Sequence, residues 1–224
     1  MVTGPGRLLV SPAGSVYDAY MAIYLDDQPT KLSGNCLGEI LASATEGLAS
    51  GGGGRVVVEV MLDGKVLSGD ELGDHQNTEL GDTEVRLTTA DPKDLAVTTL
   101  LQVREALPQA GGLHEQAAEL LQADKASEAL EYIGAAIEVW MQTQEAVLGS
   151  AGVVGLGLDD VAVDGEPMTA FTDELIDQLH GLKDLIAAGD TVALADAMAY
   201  EWPPIVHRWD KLIETLIDVI QQKK

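Results

Sequence analysis

Apolar and polar positions along the chain change their period near residue 90. Between Ala19 and Thr89 the pattern is mostly that of strands. "AIYLDD" predicts a first strand, Gln28-Pro29 a turn, and "TKLS" a second strand. "GNCLGEILASATEGLAS" instead places Cys36, Leu37, Ile40, Leu41, Ala44 and Leu48 on one side at helical spacing, with Asn35 as N-cap and "GGGG" at 51–54 as the stop. "RVVVEVML" then returns to strand. Asp63-Gly64 suits a tight type I′ hairpin into "KVLS", and "TEVRLTT" alternates with Val85 and Leu87 on one face.

The order strand, strand, helix, strand, strand, strand resembles the ubiquitin-like β-grasp, in which a mixed sheet cradles one helix. The resemblance rests on element order over about 70 residues and brings no function with it, because such sheets bind peptides, metals, other proteins or nothing. It implies a β-grasp-like domain at 18–90, preceded by a Gly/Pro-rich arm at 1–17.

From Asp91 onward the period is 3.6, which predicts an antiparallel helical bundle over 91–224 and an α+β protein as a whole. Asp91 followed by Pro92 is a helix start. Leu95, Leu100, Val103 and Leu107 form its apolar face, which is expected to stop near Pro108 and Gly111-Gly112. A second helix carries Leu113, Ala117, Leu120 and Leu121. A third runs from Ala126 to Leu148, with Ala129, Leu130, Ile133, Ala136, Ile137, Trp140 and Val147 in one stripe and Gly149 at its C′ position. An irregular loop at 150–168 follows, read as a flap or as a short hairpin packed on the bundle. Helices resume with Phe171, Leu175, Leu179, Leu182 and Ile186, after which Gly189 closes one helix and Asp190 caps the next. "LLQADKASEALEYI" at 120–133 and "LIAAGDTVALADAM" at 185–198 echo one another, each joining two helices through a short polar turn.

At the end of the chain, Trp202, Ile205, Val206, Trp209, Leu212, Ile213, Leu216, Ile217 and Ile220 recur at steps of three and four and read as core. Pro203-Pro204 cannot continue an unbroken α-helix, so Asp190–Glu201 and Pro203–Gln221 are expected as two helices with a sharp joint. His207 falls off the stripe and is expected to be exposed.

Charge narrows the function. The net charge is −24, with 37 Asp and Glu against 13 Lys and Arg, which leaves little material for a basic patch and argues against nucleic acid or an anionic membrane as partner. The excess acid favours a basic partner or simply solubility. There is no apolar run of membrane-spanning length, and Arg7 with the short "LLV" makes no signal-peptide core, so a cytoplasmic location is the default expectation. Cys36 is the single cysteine, which rules out an intrachain disulfide and a cysteine-based zinc cage.

Catalytic and metal signals are sparse. His75, His114, His180 and His207 stand alone, with no Glu-x-x-His or His-x-x-x-His pair. An alignment of Asp160 with the first ligand of a calcium loop puts Phe171 where a bidentate Glu is required. Asp159, Asp160, Asp164 and Glu166 therefore read as a solvated acidic loop. Gly155 and Gly157 lack the third glycine of a dinucleotide fingerprint. Cys36, placed on the apolar side of its helix, reads as a small hydrophobe.

These features predict no catalytic residue, no cofactor and no metal. The expected function is that of a non-catalytic protein-binding module: an adaptor, a secretion-type chaperone or a regulatory protein. Its expected partner is a basic amphipathic helix, met at Trp140, Met141 and Val147. Two alternatives stay open: an enzyme or small-ligand binder with a pocket between the two domains, and a homo-oligomer that assembles through bundle faces.

Overall fold

A computed structural model of the chain describes residues 21–50 and 54–223. The arm expected over 1–17 lies outside the described residues. The chain divides into two compact units, the first ending at Asp91 and the second starting at Pro92.

The first unit is a five-stranded mixed sheet with helices. Its elements are β1 (Ile23–Leu25), β2 (Gln28–Pro29), α1 (Leu37–Ser50), β3 (Val56–Leu62), β4 (Lys65–Val66), α2 (Gly69–His75) and β5 (Val85–Ala90). The strand order is β2-β1-β5-β3-β4, with β1 and β5 parallel in register Ile23 to Val85 and Leu25 to Leu87. Leu37, Ile40 and Ala44 of α1 bury against Ile23, Val60, Leu62, Val85 and Leu87 of the sheet, the β-grasp-like arrangement expected.

Three local expectations are corrected. The first hairpin turns at Asp26-Asp27, both at positive φ, and Gln28-Pro29 is the return strand, so "TKLS" is no strand. The aspartate conformation is secured by hydrogen bonds: the Asp26 carboxylate accepts from the Thr89 amide and hydroxyl, each at 2.7 Å. The sheet carries a second helix where one was expected: α2 follows β4, opened by a capping box between Ser68 and Glu71. Cys36 precedes α1 instead of lying on its apolar face, and is half-buried. The second hairpin is as expected, with Asp63 and Gly64 both at positive φ.

The second unit is helical. Its elements are α3 (Pro92–Gln122), α4 (Ala126–Val153), a 3-10 turn (Leu158–Asp160), β6 (Ala162–Val163), β7 (Glu166–Pro167), α5 (Met168–Ala188), α6 (Thr191–Asp196), a π-helical turn (Ala197–Glu201) and α7 (Trp202–Gln222). Here α3 is one helix of 31 residues that passes straight through Pro108 and Gly111-Gly112. The buried row Leu100, Leu107, Ala110, His114, Ala117 and Leu121 continues across the expected break, while Pro108 stays on the exposed side. Tertiary burial outweighs a local cost of about 3 kcal/mol for the proline and about 1 for each glycine. For the same reason α4 runs past Gly149, because Ser150 and Ala151 are still buried in the core.

The region expected to be irregular over 150–168 is shorter than that, since α4 takes its first residues and α5 its last, and between them the 3-10 turn leads into a short hairpin packed on the bundle. It turns at Asp164-Gly165, and Val161, Val163 and Met168 enter the core. Arg208 of α7 lies 4.8 Å from the centre of the Phe171 ring and pairs with Glu166 and Glu174, while Lys211 pairs with Asp164. The two echoing turns are the same structure. Lys125 and Asp190 donate their amides to the carbonyls of Leu120 and Leu185, and Asp124 and Gly189 donate to Leu121 and Ile186. Asp124 and Gly189 have φ of 58° and 66°, so each turn is a Schellman cap at the equivalent position.

Trp140, Trp202 and Trp209 meet in the centre of this unit, with His114 against them. No helix among the described residues is long and apolar enough to cross a membrane.

Candidate functional site: a groove between α3 and α7

The two prolines at the start of α7 shape one wall of a groove. Pro203 and Pro204 have no amide hydrogen, so neither can donate to the carbonyls one turn back. The chain answers with the π turn, in which the Trp202 amide reaches the Ala197 carbonyl five residues earlier. Met198 and Ala199 of this turn, with Pro203 and Val206 of α7, form an apolar wall.

The facing wall is α3, which contributes Gly111, Glu115, Ala118, Glu119 and Gln122. The space between the walls is about 460 Å³. A second depression of about 250 Å³, lined by Leu107, Pro108, His207 and Asp210, shares Pro203 and Val206 with the first and extends the groove along both helices. Both walls therefore contain residues that weaken a helix locally: Pro108 and Gly111 on one side, the π turn and Pro203 on the other. Departures of this kind from local preference concentrate at functional sites.

Charge divides the groove into committed and uncommitted parts. At the Pro108 end, Asp210 accepts from Arg104 at 2.8 Å, and the same guanidinium reaches Glu214 at 3.3 Å. Those acids raise the Arg104 pKa above its ordinary value, the Asp210 hydrogen bond contributing most. The carboxylates of Glu115 and Glu119 have no ion-pair or hydrogen-bond partner among the described residues, and both residues are exposed. They stand one turn apart on the groove side of α3. A depression of about 400 Å³ between the start of α3 and the end of α4 is less distinctive, because its walls are regular helix and Glu145 is its one carboxylate.

Behind the α3 wall lies the aromatic cluster. The ring centres of His114 and Trp202 are 4.8 Å apart, those of Trp140 and Trp202 5.5 Å, and those of Trp140 and Trp209 5.8 Å. Burial pushes the His114 pKa down to about 4, so the imidazole is neutral near pH 7. The cluster is a support for the groove and not a lining of it.

Of the residues expected to meet a partner, Trp140 and Val147 are completely buried and Met141 is 59% exposed on the outside of α4. The three share a helix but no common surface, and none lines the groove. His207 is exposed as expected and sits at the groove's far end. The acids of the 150–168 hairpin are engaged locally: Asp159 accepts from Thr169 at 2.9 Å, Asp160 from the Gly157 amide at 2.8 Å, and Asp164 and Glu166 hold Lys211 and Arg208. No group of three or more metal-ligating side chains occurs among the described residues.

Gly111, Glu115, Glu119, Pro203 and Val206 were not legible as a site from periodicity, which treats Pro and Gly as punctuation. The available signal was their survival inside an otherwise continuous apolar pattern.

The model of a family described as a domain of unknown function (DUF8042) matches residues 98–212, and the chain belongs to that family. The matched segment contains every residue of the groove. No curated protein and no solved structure matches the chain.

Proposed function

We propose that this member of the family is a non-catalytic protein-binding module, an adaptor or chaperone, whose α3–α7 groove holds a basic amphipathic helix of another protein. The observation that carries the reading is the pairing of an apolar wall at Met198, Ala199, Pro203 and Val206 with the unpaired carboxylates of Glu115 and Glu119. An amphipathic helix laid in such a groove buries its apolar stripe and offers Lys or Arg from its flanks.

The charge of the whole unit supports the same partner. Residues 92–224 carry 23 acidic against 8 basic side chains, a field that speeds encounter with a cationic segment and repels a second copy of the chain. The single cysteine suits a reducing compartment, and a cytoplasmic location is part of the proposal.

The test is stopped-flow association of the full chain with a fluorescent peptide that is apolar at i, i+3, i+4 and i+7 and flanked by lysines. The on-rate should fall steeply as salt rises, and Glu115→Lys with Glu119→Lys should slow it further. An on-rate indifferent both to salt and to the double charge reversal refutes the proposal.

A further inference from the structure

We infer that Gly111 is the seat for the docked helix's anchoring side chain, and that Glu115 and Glu119 clamp two of its basic residues spaced one turn apart. The inference rests on the reading of the groove as a helix-docking site and assigns it a register.

Gly111, Glu115 and Glu119 form one i, i+4 row along α3, the kind of ridge against which a second helix aligns. All three face the groove. The glycine is not required by the backbone, since it lies inside α3 and is not among the residues at positive φ. Nor is it required by packing, since a Cβ built on it would meet nothing within 4 Å. In a helix interior the absence of that Cβ is destabilising relative to alanine.

Open space above a helical glycine is not special to this position, for Gly112, Gly134 and Gly181 share it. What distinguishes Gly111 is that the open space is the groove itself, opposite Pro203 and one turn from the first unpaired carboxylate. Gly112 does not line the groove, and nothing in the structure explains it.

An incoming helix can set a large apolar side chain over Gly111, where α3 presents bare backbone. Two residues separated by four then rise about 6 Å along that helix, which matches the rise from Glu115 to Glu119. Lysine or arginine at those positions neutralises both carboxylates together, with an arginine able to bond bidentately.

The experiment measures fluorescence anisotropy with the full chain and two lysine-flanked amphipathic peptides of equal composition. One carries its lysines at i and i+4 beside a leucine anchor, and the other carries them at i and i+2. The proteins are wild type, Gly111→Leu, Gly112→Leu and Glu115→Gln with Glu119→Gln, each checked for thermal stability. Gly111→Leu fills the seat and favours the helix, so the expected result is an unchanged or higher Tm with binding weakened about tenfold or more. Gly112→Leu should bind as wild type does, and the double Gln variant should lose the preference for the i, i+4 peptide. Equal binding by Gly111→Leu and wild type overturns the seat while the docking reading survives. Failure of wild type to bind either peptide overturns both.

Discussion

The indole nitrogen of Trp140 donates to Nε2 of His114 at 3.3 Å, linking α4 to α3 inside the core. That bond fixes the neutral imidazole with its proton on Nδ1, and Nδ1 finds no partner among the described residues. A second proton would turn Nε2 from an acceptor into a donor facing another donor, and would place a charge in a buried aromatic cluster. Both effects oppose protonation.

Stability should therefore depend on pH through His114. Its folded pKa, about 4, lies below the ordinary 6.5. Between those values the unfolded chain takes up a proton that the folded chain refuses, so stability is full above about pH 6.5 and declines as pH falls towards 4. The loss at the bottom of the window is about 3 kcal/mol from this group. Urea unfolding of wild type and His114→Leu across pH 4–7 checks it. A difference between the two that stays constant with pH contradicts the assignment.

The tryptophans should act through folding. Trp202 and Trp209 are almost wholly buried, and each truncation to alanine should cost about 3–5 kcal/mol in equilibrium denaturation. Trp140→Ala belongs with them. His207→Ala and Met141→Glu, both at exposed positions, should stay within about 0.5 kcal/mol of wild type. A Trp202→Ala protein as stable as wild type would remove it from the core.

Pro108 tests the continuity of α3. Within an unbroken helix, Pro108→Ala restores the donor to the Arg104 carbonyl and should stabilise the protein by about 1–3 kcal/mol in thermal or chemical unfolding. At a true helix boundary the same change would be neutral or harmful.

The two Schellman turns predict opposite responses at equivalent positions. Gly189→Ala puts a Cβ at φ 66° and should destabilise by about 1 kcal/mol. Asp124→Gly relieves the same conformation at φ 58° and should be neutral or stabilising by up to about 1 kcal/mol. Matched denaturation curves of the two variants decide it.

Much of this protein is determined by local chemistry. The change of period at Asp91 marks the boundary between units, because alternation and a 3.6 repeat bury different faces. Asp63-Gly64, Gly189 and Asp190 act where they stand, since positive φ and capping are properties of single residues and their neighbours. The stripe from Trp202 to Ile220 also names its own core face.

Tertiary structure decided the rest. Pro108 and Gly111 read as a helix end until burial of Leu107, Ala110 and His114 against neighbouring helices carries α3 through them. Trp140 and Met141 are adjacent in sequence, yet one is at the centre of the core and the other 59% exposed, a distinction set by which helices surround α4. The groove exists only because α3 and α7, some 90 residues apart in the chain, face each other with a glycine on one side and a π turn on the other. Periodicity describes one element at a time, and a site made of two elements has no period of its own.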